Sequence, residues 1–142
     1  MAEVSPKENG PQQNTLKKVL LADDNDRYAK ALTEDLLERG VGEVVRAMNA
    51  QEAVEILRND GDGIDGVVSD ISMESQISGL RVLRAARKGG NRRVLAVATT
   101  GLDTKIGYFF NYFILGILYR SDYLIPKRPI KRDGIINWIR VK

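Results

Sequence analysis

Short β-branched apolar runs that alternate with amphipathic stretches constrain this chain more than any other feature. Val19-Leu20-Leu21-Ala22, Val44-Val45, Gly66-Val67-Val68-Ser69-Asp70, Val94 to Thr99 and Tyr123-Leu124-Ile125 each read as a strand. Helical patterns lie between them. Arg27 to Arg39 repeats Tyr28, Leu32 and Leu36 with Ala29 and Leu37 beside them, and Gly40 follows as a stop. Asn49, with Glu52 three residues on, resembles a capping arrangement and opens a second helix through Ala53, Val54, Ile56 and Leu57. A third starts at Gly79 and carries Leu80, Leu83 and Ala86 to Gly89-Gly90. This alternation predicts an α/β fold: a doubly wound five-stranded parallel sheet with helices on both faces, joined by right-handed crossovers.

In such a sheet every strand opens its carboxyl end on one edge, where open α/β folds bind ligands. Asp23 and Asp24, Asp70, Thr99-Thr100 and Lys127 all fall there. A strand-terminal Asp by itself is more often a cap or turn former, so the weight rests on the convergence of these segments. Three ionised carboxylates close together need a compensating cation. The chain contains no Cys and no His, so any metal must take oxygen ligands, which favours Mg²⁺ or a close relative. Within such a site one aspartate can act as nucleophile toward a phosphoryl group, with cation, hydroxyl and ammonium neutralising the phosphoryl oxygens.

The 142 residues suffice for one domain, read as 16–142, with 1–15, rich in Pro, Gln, Asn and Glu, as a disordered tail. That tail has neither the apolar core of a signal peptide nor a membrane span, and a cytoplasmic protein is expected. A net charge of +3 with scattered Lys and Arg reads as a solvated surface, with no direct nucleic-acid contact expected. Tyr108 to Tyr119 is nearly continuously apolar and aromatic, too short to cross a bilayer, and is either a core helix or one awaiting a partner. Pro126-Lys127-Arg128-Pro129 reads as a stiff loop, and Asp133 to Arg140, with Ile135, Ile136, Trp138 and Ile139, as a short closing helix.

From about Lys17 to Trp138 the chain resembles a response-regulator receiver domain, the phosphorylated module of two-component signalling. The resemblance is carried by Val-Leu-Leu-Ala-Asp-Asp-Asn, by Ala47-Met-Asn-Ala-Gln-Glu-Ala-Val, by Asp65-Gly-Val-Val-Ser-Asp-Ile-Ser-Met followed by Gly-Leu-Arg-Val-Leu, by Ala-Thr-Thr-Gly and by Asp-Tyr-Leu-Ile-Pro-Lys. It implies a flavodoxin-like receiver fold. Asp70 then matches the phosphoacceptor, and Asp23 and Asp24 the acidic pair that holds Mg²⁺. Ser72 matches the residue whose backbone carbonyl completes the metal site. Thr100 matches the switching hydroxyl, or Thr99 if the register slips, and Tyr123 the aromatic that changes rotamer with it. Lys127 matches the conserved lysine; alternatively Arg128 stands in its place beside a cis proline.

The chain departs from the family where Glu74 replaces the usual proline, where Gly79 falls one residue late, where Arg128 separates Lys127 from Pro129, and in the longer stretch from Thr100 to Lys127. The resemblance implies a phosphodonor that is a histidine kinase or phosphotransfer protein, and an output through the fourth helix and fifth strand, to a downstream protein or to a second copy. Such a domain catalyses its own aspartyl phosphorylation and dephosphorylation and is not otherwise an enzyme. The alternatives are a receiver-like interaction module that works without phosphorylation, and a Mg²⁺-dependent phosphatase. The phosphatase needs a second Asp two residues after the nucleophile, where Ser72 stands.

Overall fold

A computed structural model describes residues 16–59, 63–71, 73, 78–88, 94–99, 104–118 and 120–141. The expected tail at 1–15 lies outside them. In chain order the elements are β1 (Lys18–Ala22), α1 (Asp26–Glu38), β2 (Glu43–Ala47), α2 (Ala50–Asn59), β3 (Gly66–Asp70), α3 (Ser78–Lys88) and β4 (Val94–Thr99). There follow α4 (Lys105–Asn111), which runs on as a π-helical segment (Tyr112–Leu118), then β5 (Tyr123–Pro126), α5 (Lys127–Asp133) and β6 (Ile139–Arg140). The sheet order is β2-β1-β3-β4-β5-β6. The first five strands pair in parallel and β6 pairs antiparallel with β5.

The unbroken apolar runs of β1 and β3 follow from their central position, because both faces of these strands are covered. Side chains alternate between two cores. Leu20, Ala22, Val67, Leu95, Val97 and Leu124 meet α2, α3 and Leu115 of the π-helical segment on one face. Val19, Leu21, Val68, Ala96, Ala98 and Ile125 meet α1 and α5 on the other. The helix starts are capped as polar residues of this type allow: the Tyr28 N–H donates to Asn25 Oδ1, and the Glu52 N–H donates to Asn49 Oδ1 at 2.8 Å.

Two expectations are corrected at the carboxyl end. Pro126 to Pro129 is the entry to α5 rather than a loop. Both prolines are tolerated because the first four N–H groups of a helix have no intrahelical acceptor. The helix ends at Asp133, where Gly134 takes φ 69°, and the segment expected to be helical is non-helical from Gly134 to Trp138 and then forms β6, a sixth strand. Alternation explains this outcome. Trp138 is buried in the α1/α5 core, Ile139 packs against the opposite core, and Val141 is buried in that opposite core. The Val141 N–H donates to the Asp122 carbonyl, and Trp138 Nε1 donates to Asp35 Oδ2.

The apolar stretch after β4 is partly core and partly surface. Leu115 is buried, and Tyr112 and Ile114 pack against the core. Ile106, Phe109, Phe110 and Phe113 are exposed, Ile106 at 86% and Phe109 at 71%.

Candidate functional site

The carboxyl ends of β1 and β3 deliver Asp23, Asp24 and Asp70 to one place, where an oxygen from each lies within 4.8 Å of the others. Asp23 and Asp70 are buried and Asp24 is exposed. Lys127, the first residue of α5, reaches across from the end of β5. Its Nζ lies 2.6 Å from Asp70 Oδ1, with the Lys127 side chain 11% and the Asp70 side chain 2% exposed. The same ammonium stands 5.5 Å from the ring centre of Tyr28, in the first turn of α1. The ion pair therefore forms with Lys127. Arg128 is exposed in the next position of α5, and no cis peptide bond occurs among the described residues.

The loop between β1 and α1 is shaped by its own side chains. Asp23 Oδ1 accepts from the Asn25 N–H at 2.9 Å, and the Asp23 N–H donates to the Ala47 carbonyl of β2. Asp23 Oδ2 is buried with no hydrogen-bond partner among the described residues. Burial pushes the Asp23 carboxyl up to about 6 from its ordinary value of 3.8; the Asn25 N–H and Lys127 oppose this, and the charges of Asp70 and Asp24 add to it. A buried carboxylate oxygen without a donor, facing two further carboxylates, suits a hard divalent cation with oxygen ligands. Asp23, Asp24 and Asp70 could hold it.

Beyond Asp70 the backbone comes very close to α3. A Cβ at Gly79 would sit 2.1 Å from the Asp70 carbonyl oxygen, so only glycine fits there. The Gly79 N–H donates to the Ile71 carbonyl, and the Met73 N–H to Ser78 Oγ. Ser72 and Thr100 lie outside the described residues. Thr99, at the end of β4, is buried and donates from Oγ1 to Asn111 Oδ1 at 2.9 Å, at the junction of α4 with the π-helical segment. Tyr123 is half-buried, edge-on to Trp138 with ring centres 5.6 Å apart. Sequence reasoning missed Tyr28, Asn25 and Arg46. Asn25 carried a readable signal, an Asx residue just before an amphipathic run. Arg46 carried a fainter one, a charge inside a strand.

A model of the response regulator receiver domain matches residues 19–117. The chain belongs to this family. The receiver is similar to a response regulator receiver domain protein from Clostridium thermocellum, at 25% identity over 80% of this chain and 83% of that one, with a TM-score of 0.62. It is also similar to the receiver domain of the hybrid histidine kinase CckA, at 28% identity over 61% of this chain and 78% of that one, with a TM-score of 0.51. The receiver domain of the histidine kinase CKI1 from Arabidopsis thaliana, complexed with Mg²⁺, shares the fold at 21% identity, a TM-score of 0.60, and coverage of 84% and 90%. No curated protein sequence matches the receiver. No helix among the described residues is long and apolar enough to cross a membrane.

Proposed function

We propose that this receiver takes a phosphoryl group from a histidine kinase or phosphotransfer protein onto Asp70, with Mg²⁺ bound at Asp23, Asp24 and Asp70, and thereby changes a protein-interaction surface. The observation that carries the reading is the 2.6 Å contact of Lys127 Nζ with Asp70 Oδ1 inside a cluster of three carboxylates. An oxygen of Asp70 attacks the donor's phosphorus, an aspartyl phosphate forms, and the bond from phosphorus to the donor's imidazole nitrogen breaks. Lys127 holds Asp70 in place and then faces the phosphoryl oxygens as a fixed positive charge. Mg²⁺ supplies charge neutralisation for the carboxylates and the phosphoryl group. Ser72, through its backbone carbonyl, is the further metal ligand in this reading, with Thr100 or Thr99 as the switching hydroxyl and Tyr123 as the aromatic that follows it. The receiver is not an enzyme on external substrates, and it works in the cytoplasm.

The output surface is α4, the π-helical segment and β5. Its exposed Ile106, Phe109, Phe110 and Phe113 form an apolar area of the kind that marks an interaction site, for a downstream protein or a second copy. These side chains are exposed with Asp70 unmodified, which favours a second reading, a receiver-like module that binds its partner without phosphorylation. Intact mass after incubation with Mg²⁺ and a small acyl phosphate, beside Asp70→Asn, separates the two. One base-labile phosphoryl group that the variant lacks supports the first reading. No added mass together with no Mg²⁺ binding supports the second.

A further inference from the structure

Arg46 is the fourth residue of β2 and pairs in register with Leu21, so it lies on the α1 side of the sheet, below the loop that carries Asp23 and Asp24. Its guanidinium spans that loop. Nε donates to the Asp23 carbonyl oxygen at 3.2 Å, and Nη1 lies 2.8 Å from Asp26 Oδ1, at the first residue of α1. One planar fork thus ties both ends of the Asp23–Asp26 turn to the neighbouring strand, where the Ala47 carbonyl already accepts the Asp23 N–H. The third nitrogen, Nη2, is buried without a hydrogen-bond partner among the described residues. A buried donor left in this way offsets what the two contacts contribute to stability. The consequence of the fork is the shape of the loop.

We propose that Arg46 is a positioning residue for the divalent cation, holding the Asp23 backbone so that the Asp23 and Asp24 carboxylates face Asp70. The inference rests on the receiver reading of the acidic cluster. Charge alone makes the opposite demand: a guanidinium near three carboxylates repels a cation, so its removal should tighten binding. Positioning demands that removal weaken it. Outer partners that orient metal ligands are typically worth about 10- to 100-fold in affinity.

The test is calorimetric titration of the full chain with Mg²⁺, for wild type, Arg46→Met and Arg46→Lys, with thermal melts in EDTA to establish that each variant is folded. Arg46→Met is expected to weaken Mg²⁺ binding about 10-fold or more. Arg46→Lys keeps the charge but cannot bridge carbonyl and carboxylate as a fork, and it too is expected to bind more weakly than wild type. Affinity at or above wild type in either folded variant overturns the role of Arg46 and leaves the receiver reading intact. A wild type that fails to bind Mg²⁺ overturns both. If the Met variant does not fold, the Lys variant alone decides.

Discussion

Replacing Asp23 by Asn, in the absence of Mg²⁺, should make the protein more stable, and the gain should grow with pH. Asp23 is buried, and its carboxyl is raised from 3.8 to about 6, first by burial and then by the charges of Asp70 and Asp24. A carboxyl raised in the folded state binds its proton more tightly there than in the unfolded chain. The stability associated with that proton is fully present below pH 3.8 and is lost as pH rises through 6. A shift of this size corresponds to about 3 kcal/mol, of which about 2 kcal/mol falls between pH 4.5 and 7.5. Water at the open Asp24 rim screens the cluster, so these are upper figures. Asn keeps an acceptor for the Asn25 N–H and removes the titration. The assay is urea unfolding in EDTA at several pH values between 4.5 and 7.5, for wild type and Asp23→Asn. The stability difference should move in favour of the variant by up to about 2 kcal/mol across that range. Added Mg²⁺ should restore the wild type at pH 7.5 and do little for the variant. A difference that stays constant with pH refutes the reasoning.

Lys127→Met removes the ammonium that lies against the 2%-exposed Asp70 side chain and should cost about 3 kcal/mol in EDTA by urea unfolding, with part of the loss recovered in Mg²⁺. Gly79→Ala places a methyl group against the Asp70 carbonyl and should cost about 2 kcal/mol or more by thermal melting, with weaker Mg²⁺ binding as Asp70 shifts. Phe109→Ser with Phe113→Ser changes exposed side chains and should alter stability by about 0.5 kcal/mol or less each. The same double variant should lower self-association in sedimentation if the aromatic surface serves a second copy.

Local chemistry made much of the fold and the rim legible in the sequence. The apolar runs of β1 and β3 show their double burial directly, because a central parallel strand has no polar face to alternate with. Asn49 announces the start of α2 through its own side chain, and the carboxylates at the ends of β1 and β3 meet because parallel strands share an edge. Short-range pattern could not decide the rest. Ile135, Ile136, Trp138 and Ile139 suit a helix as well as an extended chain. The outcome turned on partners far away in sequence: Asp35, whose carboxylate takes the Trp138 N–H, Arg39, whose guanidinium lies over the indole ring, and Asp122, whose carbonyl takes the Val141 N–H. The pairing of Lys127 rather than Arg128 with Asp70, and the grip of Arg46 on the Asp23 loop, are of the same kind. The alternation, the two-sided core and the acidic rim each follow from residue type and period, and so could be read from the chain alone. Which cation reaches Asp70 and how the chain closes its last sheet edge were settled by contacts between elements distant in sequence, which no local period encodes.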